Sequence, residues 1–188
     1  MKQNMNKVMK EMINTLIYLL GVLLLTYFVI TFIGQRTEVD GTSMEATLYD
    51  GDNLIVDKIT YRFQDPQRFD IIVFPFKYQK NTYYIKRIIG LPGETVQIDI
   101  QGNIYIDGKI LEENYGREVI KPEKIGVASQ PIVLGEDEYF VMGDNRNNST
   151  DSRTEIVGNI KKRDIVGRVL LRIWPLSRFG ALEHQQEE

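Results

Sequence analysis

The chain has 188 residues, with 23 Lys and Arg against 26 Asp and Glu and a formal net charge of -3. That length suits one globular domain plus a membrane segment, and the charge supplies no basic field to hold nucleic acid. Cysteine is absent, which excludes thiol nucleophiles, disulfides and thiolate metal sites, and the single histidine, His184, lies in the polar tail Glu183–Glu188 where it is expected to be solvated. Hydrolytic chemistry here must therefore work without Cys and without His; no metal and no cofactor are expected.

No residue from Met12 to Gly34 is charged, and Ile13–Ile33 is dominated by Leu, Ile, Val, Phe and Tyr. The run is about 21 residues, against the roughly 20 needed to cross the hydrocarbon core. A buried core helix would carry a polar stripe, and none is visible. A cleavable signal peptide has an apolar core of about 7–15 residues and a small-residue cleavage site; Phe28–Ile33 offers no such site. Lys2, Lys7 and Lys10 precede the run, opposed only by Glu11, whereas Arg36 and Glu38 beyond it cancel. Basic residues favour the cytoplasmic side. The expectation is a cytoplasmic segment over 1–11, a single-pass anchor over 12–34 and an outer domain over 35–188.

Beyond Gly34 the pattern changes to short strands between turns. Asn53–Ile59 follows the turn signal Asp50-Gly51-Asp52, and Phe69–Phe74 is a nearly continuous apolar run stopped by Pro75. Thr82–Ile89 ends at Gly90-Leu91-Pro92-Gly93. Thr95–Ile100 and Asn103–Ile106 alternate around Gln101-Gly102, which suggests a hairpin, and Asp107-Gly108 marks a second tight turn. Glu112–Gln130 is polar, with Pro122 and two glycines, and reads as a surface excursion, so that about 99–132 forms a hairpin and excursion inserted in the domain. Glu138–Met142 and Ile165–Ile173 supply further strands. The fold class is mostly β: one N-terminal helix followed by a folded-over antiparallel sheet or barrel.

Ser43, in Asp40-Gly41-Thr42-Ser43-Met44-Glu45-Ala46-Thr47-Leu48, sits close behind the apolar run. A serine is a poor nucleophile until a neighbour removes its proton. With His unavailable, the possible bases are Lys, a carboxylate or an N-terminal amine. An ordinary lysine, with a pKa of about 10.4, is protonated at neutral pH, and burial in apolar surroundings lowers that value. Lys86, within Tyr83-Tyr84-Ile85-Lys86-Arg87-Ile88-Ile89, is the lysine in such a setting. Strand parity alone does not decide whether Lys86 or Arg87 points inward; only lysine can act as a base. An ordinary edge-strand lysine remains the other reading.

Three separated blocks make the chain recognisable: Gly41–Leu48, Tyr84–Gly93, and Gly143-Asp144-Asn145-Arg146-Asn147-Asn148-Ser149-Thr150-Asp151-Ser152-Arg153. With the strands Asn53–Ile59 and Asp70–Phe74 and the tail Ile173-Trp174-Pro175, the sequence resembles the bacterial type I signal peptidases, membrane-bound serine proteases with a Ser/Lys dyad, and is closest to their short Gram-positive-like forms. The resemblance implies that Ser43 is the nucleophile and Lys86 the general base, and that the Ser149 hydroxyl bonds and orients the Lys86 amine. It makes Asp151 with Arg153, and Asp144 with Arg87 or Arg146, plausible buried ion pairs. By composition alone, Gly143–Arg153 reads as a solvated loop.

Three positions depart from the family pattern. Ala46 stands where many members have proline, so the turn is expected to be looser. Gly41 stands where some members carry an oxyanion-hole hydroxyl, leaving the Ser43 N–H with a backbone donor or water near Gly41. Asn147 replaces an aspartate of some relatives. Val39, Met44, Leu48, Val73 and Ile85 are the implied walls of a pocket for small residues before the cut, or simply core. The expected substrate is the signal peptide of an exported preprotein, bound as an extended strand on a sheet edge, and the other expected partner is the lipid bilayer of the cell membrane. Rival readings are a self-cleaving repressor-type Ser/Lys peptidase, for which no helix-turn-helix is present, and an inactive membrane-anchored module that binds exported peptides.

Overall fold

The computed structural model describes residues 2–28 and 34–182. The end of the apolar run at 29–33 and the tail with His184 lie outside the described residues. Helix α1 spans Lys2–Phe28. Within it Lys7–Phe28 is long and apolar enough to cross a membrane, with none of the stretch buried against the domain. At 1.5 Å per residue it is about 33 Å long, close to the hydrocarbon thickness.

Twelve strands follow: β1 (Gly34–Glu38), β2 (Asn53–Asp57), β3 (Ile71–Pro75), β4 (Tyr83–Gly90), β5 (Thr95–Ile98), β6 (Ile104–Ile106), β7 (Lys109–Ile110), β8 (Ile132–Val133), β9 (Glu138–Met142), β10 (Ile160–Lys161), β11 (Gly167–Trp174) and β12 (Gly180–Ala181). An 8-stranded sheet runs β1-β2-β11-β3-β4-β9-β10 with β12 on β11, and a 4-stranded sheet runs β7-β6-β5-β8. Every pairing is antiparallel. The strands expected from the apolar runs form within a few residues of their expected limits. β1, β8, β10 and β12 did not stand out, because strands so short or polar carry little periodicity. Asp107 and Gly108, with φ of 50° and 78°, make the tight turn between β6 and β7, as the Asp-Gly pair requires.

The chain folds over at Gly90. The β4–β9 register shifts between Ile88 and Gly90. A Cβ at Gly90 would lie 2.5 Å from Val96 Cγ2 and 2.8 Å from Leu134 Cδ1, so the second sheet can close on β4 only over a glycine. The core between the sheets joins Ile89, Phe140 and Met142 to Val96, Ile98 and Ile104. Ile120, Ile125 and Ala128 belong to it as well, which corrects the reading of 112–130 as surface alone. Three apolar residues spread through a polar stretch have no period to betray them. A second core cluster packs Val39, Met44 and Leu48 onto Leu54, Val73 and Val169, so the Ser43 loop is anchored by its own apolar residues.

Ile98 is 1% exposed and Ile100, just past the strand end, is 68% exposed. Ile98→Ala should therefore cost about 2–5 kcal/mol in thermal or denaturant unfolding, and Ile100→Ala less than about 0.5 kcal/mol.

Candidate active site

The loop between β1 and β2 carries Ser43. Its neck is closed by Val39 N–H to Asp52 O (2.8 Å) and Gly51 N–H to Val39 O (2.9 Å), and its turn by Leu48 N–H to Met44 O (2.8 Å). Asp52, fully buried, accepts the Tyr49 N–H (3.0 Å) and pairs with Arg178 (2.8 Å) and Arg172 (3.3 Å). Arg172 also donates to Thr47 O at 2.9 Å. The loop is thus held from below by β11 and the turn after it.

On β4, strand parity alone does not choose between Lys86 and Arg87 for the inward position. Both are buried, at 4% and 0% exposure, on opposite faces. Lys86 lies on the same face as Tyr84, 5.1 Å from its ring centroid, and Nζ donates to Ser43 Oγ at 2.8 Å and to Ile85 O at 3.0 Å. Arg87 makes two bonds to Asp144, Nε to Oδ1 at 2.9 Å and Nη2 to Oδ2 at 2.7 Å, and donates to Phe69 O at 2.9 Å. Of the two open pairings, Asp144 takes Arg87; Arg146 takes Glu113 instead.

The third block buttresses the loop rather than facing water. Asn145 N–H donates to Ser43 O and its side chain to Thr42 O, each at 3.0 Å. Asn148 Nδ2 donates to Thr42 Oγ1 at 3.0 Å. The Thr47 hydroxyl donates to Asp144 Oδ2 at 2.6 Å and accepts from Arg87 Nη2 at 3.2 Å, tying the loop to the buried pair. Asp151 accepts the Gly143 N–H at 3.0 Å and two Arg153 bonds at 2.8 Å each. Burial pushes its pKa up, but the Arg153 and Gly143 bonds outweigh that and hold the carboxyl below its ordinary value. Gly143 is a steric necessity: a Cβ there would come within 2.3 Å of Ser149 Oγ and 2.4 Å of Ser43 O.

The implied bond from Ser149 to Lys86 is not made. Ser149 Oγ is instead buried against Gly143 and on the side of Asp151, whose carboxyl it helps to hold below its ordinary pKa, while the amine donates to Ser43 and Ile85. The expected backbone donor at Gly41 is also engaged, since its N–H donates to Asp50 Oδ1 at 2.8 Å. Among the described residues the Ser43 N–H has no such partner. Ala46 adopts φ of 97°, which proline's ring forbids, so this turn has a different shape and not merely a looser one. Asn147 accepts the Lys121 N–H and donates to Val119 O, both at 2.9 Å. A carboxylate could not make the second bond.

A groove of about 650 Å³ opens over Ser43 and Lys86, bounded by Thr37–Met44 on one side and Asn81–Lys86 on the other. Val39, Met44 and Ile85 line it. Leu48 and Val73 do not, although all five share one core cluster; Leu48 is fully buried, and Val73 lines an adjoining cavity that shares Thr37 and Tyr83 with the groove.

Several supporting residues escaped the sequence reading. The stretch 112–121 is a strap: Glu113 pairs with buried Arg146, Arg117 with Glu45 two residues after Ser43, and the Arg117 N–H donates to Asp144 O at 2.9 Å. The Tyr115 ring lies 3.6 Å from the Arg87 guanidinium carbon. Its residue types are those of any polar loop, so only the tertiary contacts reveal it.

Desolvation lowers the Lys86 pKa from 10.5 to about 8, with Asp151 and Asp144 opposing and Arg153 assisting. Below about pH 8 the folded state must hold an ammonium in this dry site. Between about 8 and 10.5 the unfolded chain binds a proton that the folded chain does not, and stability recovers as pH rises. Lys86→Met should raise stability at pH 7 by up to about 3 kcal/mol, and that advantage should shrink above pH 8 when the two proteins are melted in parallel.

The family profile described as "Signal peptidase, peptidase S26" matches residues 9–174. Among curated relatives, a probable signal peptidase I-2 from Synechocystis sp. is 41% identical over 162 residues, covering 84% of this chain and 71% of that one. A signal peptidase I P from Bacillus subtilis subsp. natto is 39% identical over 162 residues, covering 84% of this chain and 86% of the relative. A solved signal peptidase I from Enterococcus faecalis is 36% identical, covers 56% of this chain and 97% of its own, and aligns with a TM-score of 0.46. The chain belongs to the signal peptidase S26 family of serine peptidases.

Proposed function

We propose that the chain is a membrane-anchored endopeptidase that removes N-terminal signal peptides from exported preproteins, with Ser43 as nucleophile and Lys86 as general base. The observation that carries this is the 2.8 Å contact between Ser43 Oγ and Lys86 Nζ on the floor of a groove. In the neutral form, Lys86 takes the Ser43 proton as Oγ attacks the scissile carbonyl. The proton passes to the leaving amine as the C–N bond breaks, leaving an acyl ester on Ser43. Neutral Lys86 then deprotonates a water that attacks the ester, and returns the proton to Ser43 Oγ as the acyl C–O bond breaks and the new carboxyl end is released.

The Ser43 N–H supports the developing oxyanion. With Gly41 N–H bound to Asp50, the second donor is a water or a group the substrate brings into place; such donors are worth about 3–4 kcal/mol. The groove favours an extended substrate: β1 is an end strand of its sheet, and the Tyr83–Lys86 half of β4 lacks a strand partner on the β9 side among the described residues. A peptide lying between these edges gains main-chain hydrogen bonds. Val39, Met44 and Ile85 line the groove, leaving space suited to small side chains before the cut.

The helix Lys7–Phe28 acts as the anchor, with the N-terminus in the cytoplasm and the domain on the outer face of the cell membrane. Holding the enzyme in the bilayer that also retains the substrate's apolar segment raises their effective concentration.

Purified full-length protein in detergent should cleave a preprotein after a small residue. Ser43→Ala and Lys86→Ala should each lower the rate by at least about 10³-fold, the scale on which paired nucleophile and base act. Cleavage surviving either change contradicts the dyad, and an inactive parent supports the peptide-binding alternative. Activity should rise through about pH 8 as Lys86 loses its proton; a flat profile across pH 6 to 9 would exclude lysine as the base.

A further inference from the structure

The strap 112–121 is stretched between two points of the second sheet's core: Leu111 packs against that core, and Ile120, 3% exposed, belongs to it. The Ile120 end is seated on Gly102, where a Cβ would come within 2.7 Å of Ile120 O. Between these ends the strap crosses to the back of the dyad. Glu113 Oε2 accepts from Arg146 Nη2 at 2.6 Å, the Arg117 N–H donates to Asp144 O at 2.9 Å, and the Arg117 side chain pairs with Glu45. The residues that line the groove include none of 112–121.

Tyr115 lies at the middle of the strap and is half-buried. Its ring centroid is 3.6 Å from the Arg87 guanidinium carbon and 5.2 Å from the Phe69 ring. The edges of that guanidinium are already taken by Asp144, by Phe69 O and by Thr47 Oγ1. A cation bonded at its edges still presents a flat face, and an aromatic ring both covers such a face and attracts the charge. Arg87 is 0% exposed, so the half-buried ring stands between the guanidinium and water.

The charges around Lys86 give that cover a consequence. Arg87 is its neighbour on β4, and the segment behind it brings Asp144, Arg146, Asp151 and Arg153, each in an ion pair. Glu45 of the Ser43 loop is paired with Arg117, while Glu38 and Asp40 line the groove and are exposed. Water admitted to the Arg87–Asp144 pair would loosen it, return the Asp144 charge to the surroundings of Lys86 and hydrate the site; both changes favour the ammonium. We infer that Tyr115 is a positioning residue for the proposed reaction: its ring seals the Arg87–Asp144 pair from water, so that Asp144 stays committed to Arg87 and Lys86 keeps a dry site. This rests on the reading of Lys86 as the general base.

Full-length parent, Tyr115→Ala and Tyr115→Phe in detergent are compared by preprotein cleavage from pH 6 to 10. Separately, NMR of 13C-labelled lysine follows the Lys86 signal, assigned by its loss in Lys86→Met. The parent amine is expected to titrate at about 8. In Tyr115→Ala both midpoints should rise by about one pH unit. At pH 6.5 kcat should then fall about tenfold, and at pH 10 it should return to within about twofold of the parent. KM should not change, because the strap does not line the groove. Tyr115→Phe should match the parent. A role confined to stability would lower kcat by the same factor at every pH. That result, an unmoved Lys86 midpoint, or Tyr115→Phe behaving like Tyr115→Ala overturns the seal. If Tyr115→Ala does not fold, Tyr115→Leu, a smaller and less flat cover, is read in its place and must move both midpoints in the same direction. A Lys86 signal that shifts as expected in protein that cleaves no preprotein upholds the seal and overturns the peptidase reading. Cleavage that rises with pH alike in all three proteins overturns the seal and leaves the peptidase reading standing.

Discussion

The site depends on keeping one lysine dry. An amine that is protonated at neutral pH cannot accept a proton from serine, so the proposed role of Lys86 requires a place where its charge is disfavoured. Its 4% exposure accomplishes this and lowers its pKa to about 8. The destabilisation is local and is offset by packing elsewhere on β4, where Ile88 and Ile89 are fully buried. Nearby carboxylates would undo the effect if left bare. Asp144 and Asp151 are each bonded twice by an arginine, which limits the pull they exert on the lysine.

Those ion pairs also fix geometry. Asp144 joins β4 through Arg87 to the Ser43 loop through Thr47. Asn145 and Asn148 bind the loop at the Ser43 and Thr42 carbonyls and the Thr42 hydroxyl. Asp52, with Arg172 and Arg178, holds the same loop from below. A serine on a loop would ordinarily sample many positions; here Thr42 and the Ser43 carbonyl are held by asparagine amides, and Thr47 and Tyr49 by buried charges. The strap 112–121 covers this arrangement, its Tyr115 ring lying against Arg87. Breaking one partner of such a buried pair leaves an uncompensated charge, so the network behaves as a unit.

Much of the fold was legible because buried strands write their burial into residue type. The runs over Asn53–Ile59, Phe69–Phe74, Thr82–Ile89 and Glu138–Met142 became β2, β3, β4 and β9. The polar β1 and the two-residue strands β8, β10 and β12 left no pattern to read. In the site, the absence of cysteine and the single tail histidine narrowed the candidates, the family resemblance paired Ser43 with Lys86, and the two side chains lie 2.8 Å apart. The placing of the Ser149 hydroxyl toward Asp151, the engaged Gly41 N–H and the groove-lining of Val39, Met44 and Ile85 but not of Leu48 and Val73 were not legible, since each depends on which way a group points.

By itself the sequence determined the chain's plan and its family: an apolar segment long enough to span a bilayer, a mostly β domain behind it, and three separated blocks that carry a serine and a lysine in an apolar strand. Residue type and spacing carry such information because hydrophobic period and proton affinity are local properties. Tertiary structure alone decided that both Lys86 and Arg87 are buried, that Arg146 answers to Glu113, and that a polar excursion is a strap. Each of those outcomes depends on what lies across the fold from a side chain, and distance along the chain does not encode that.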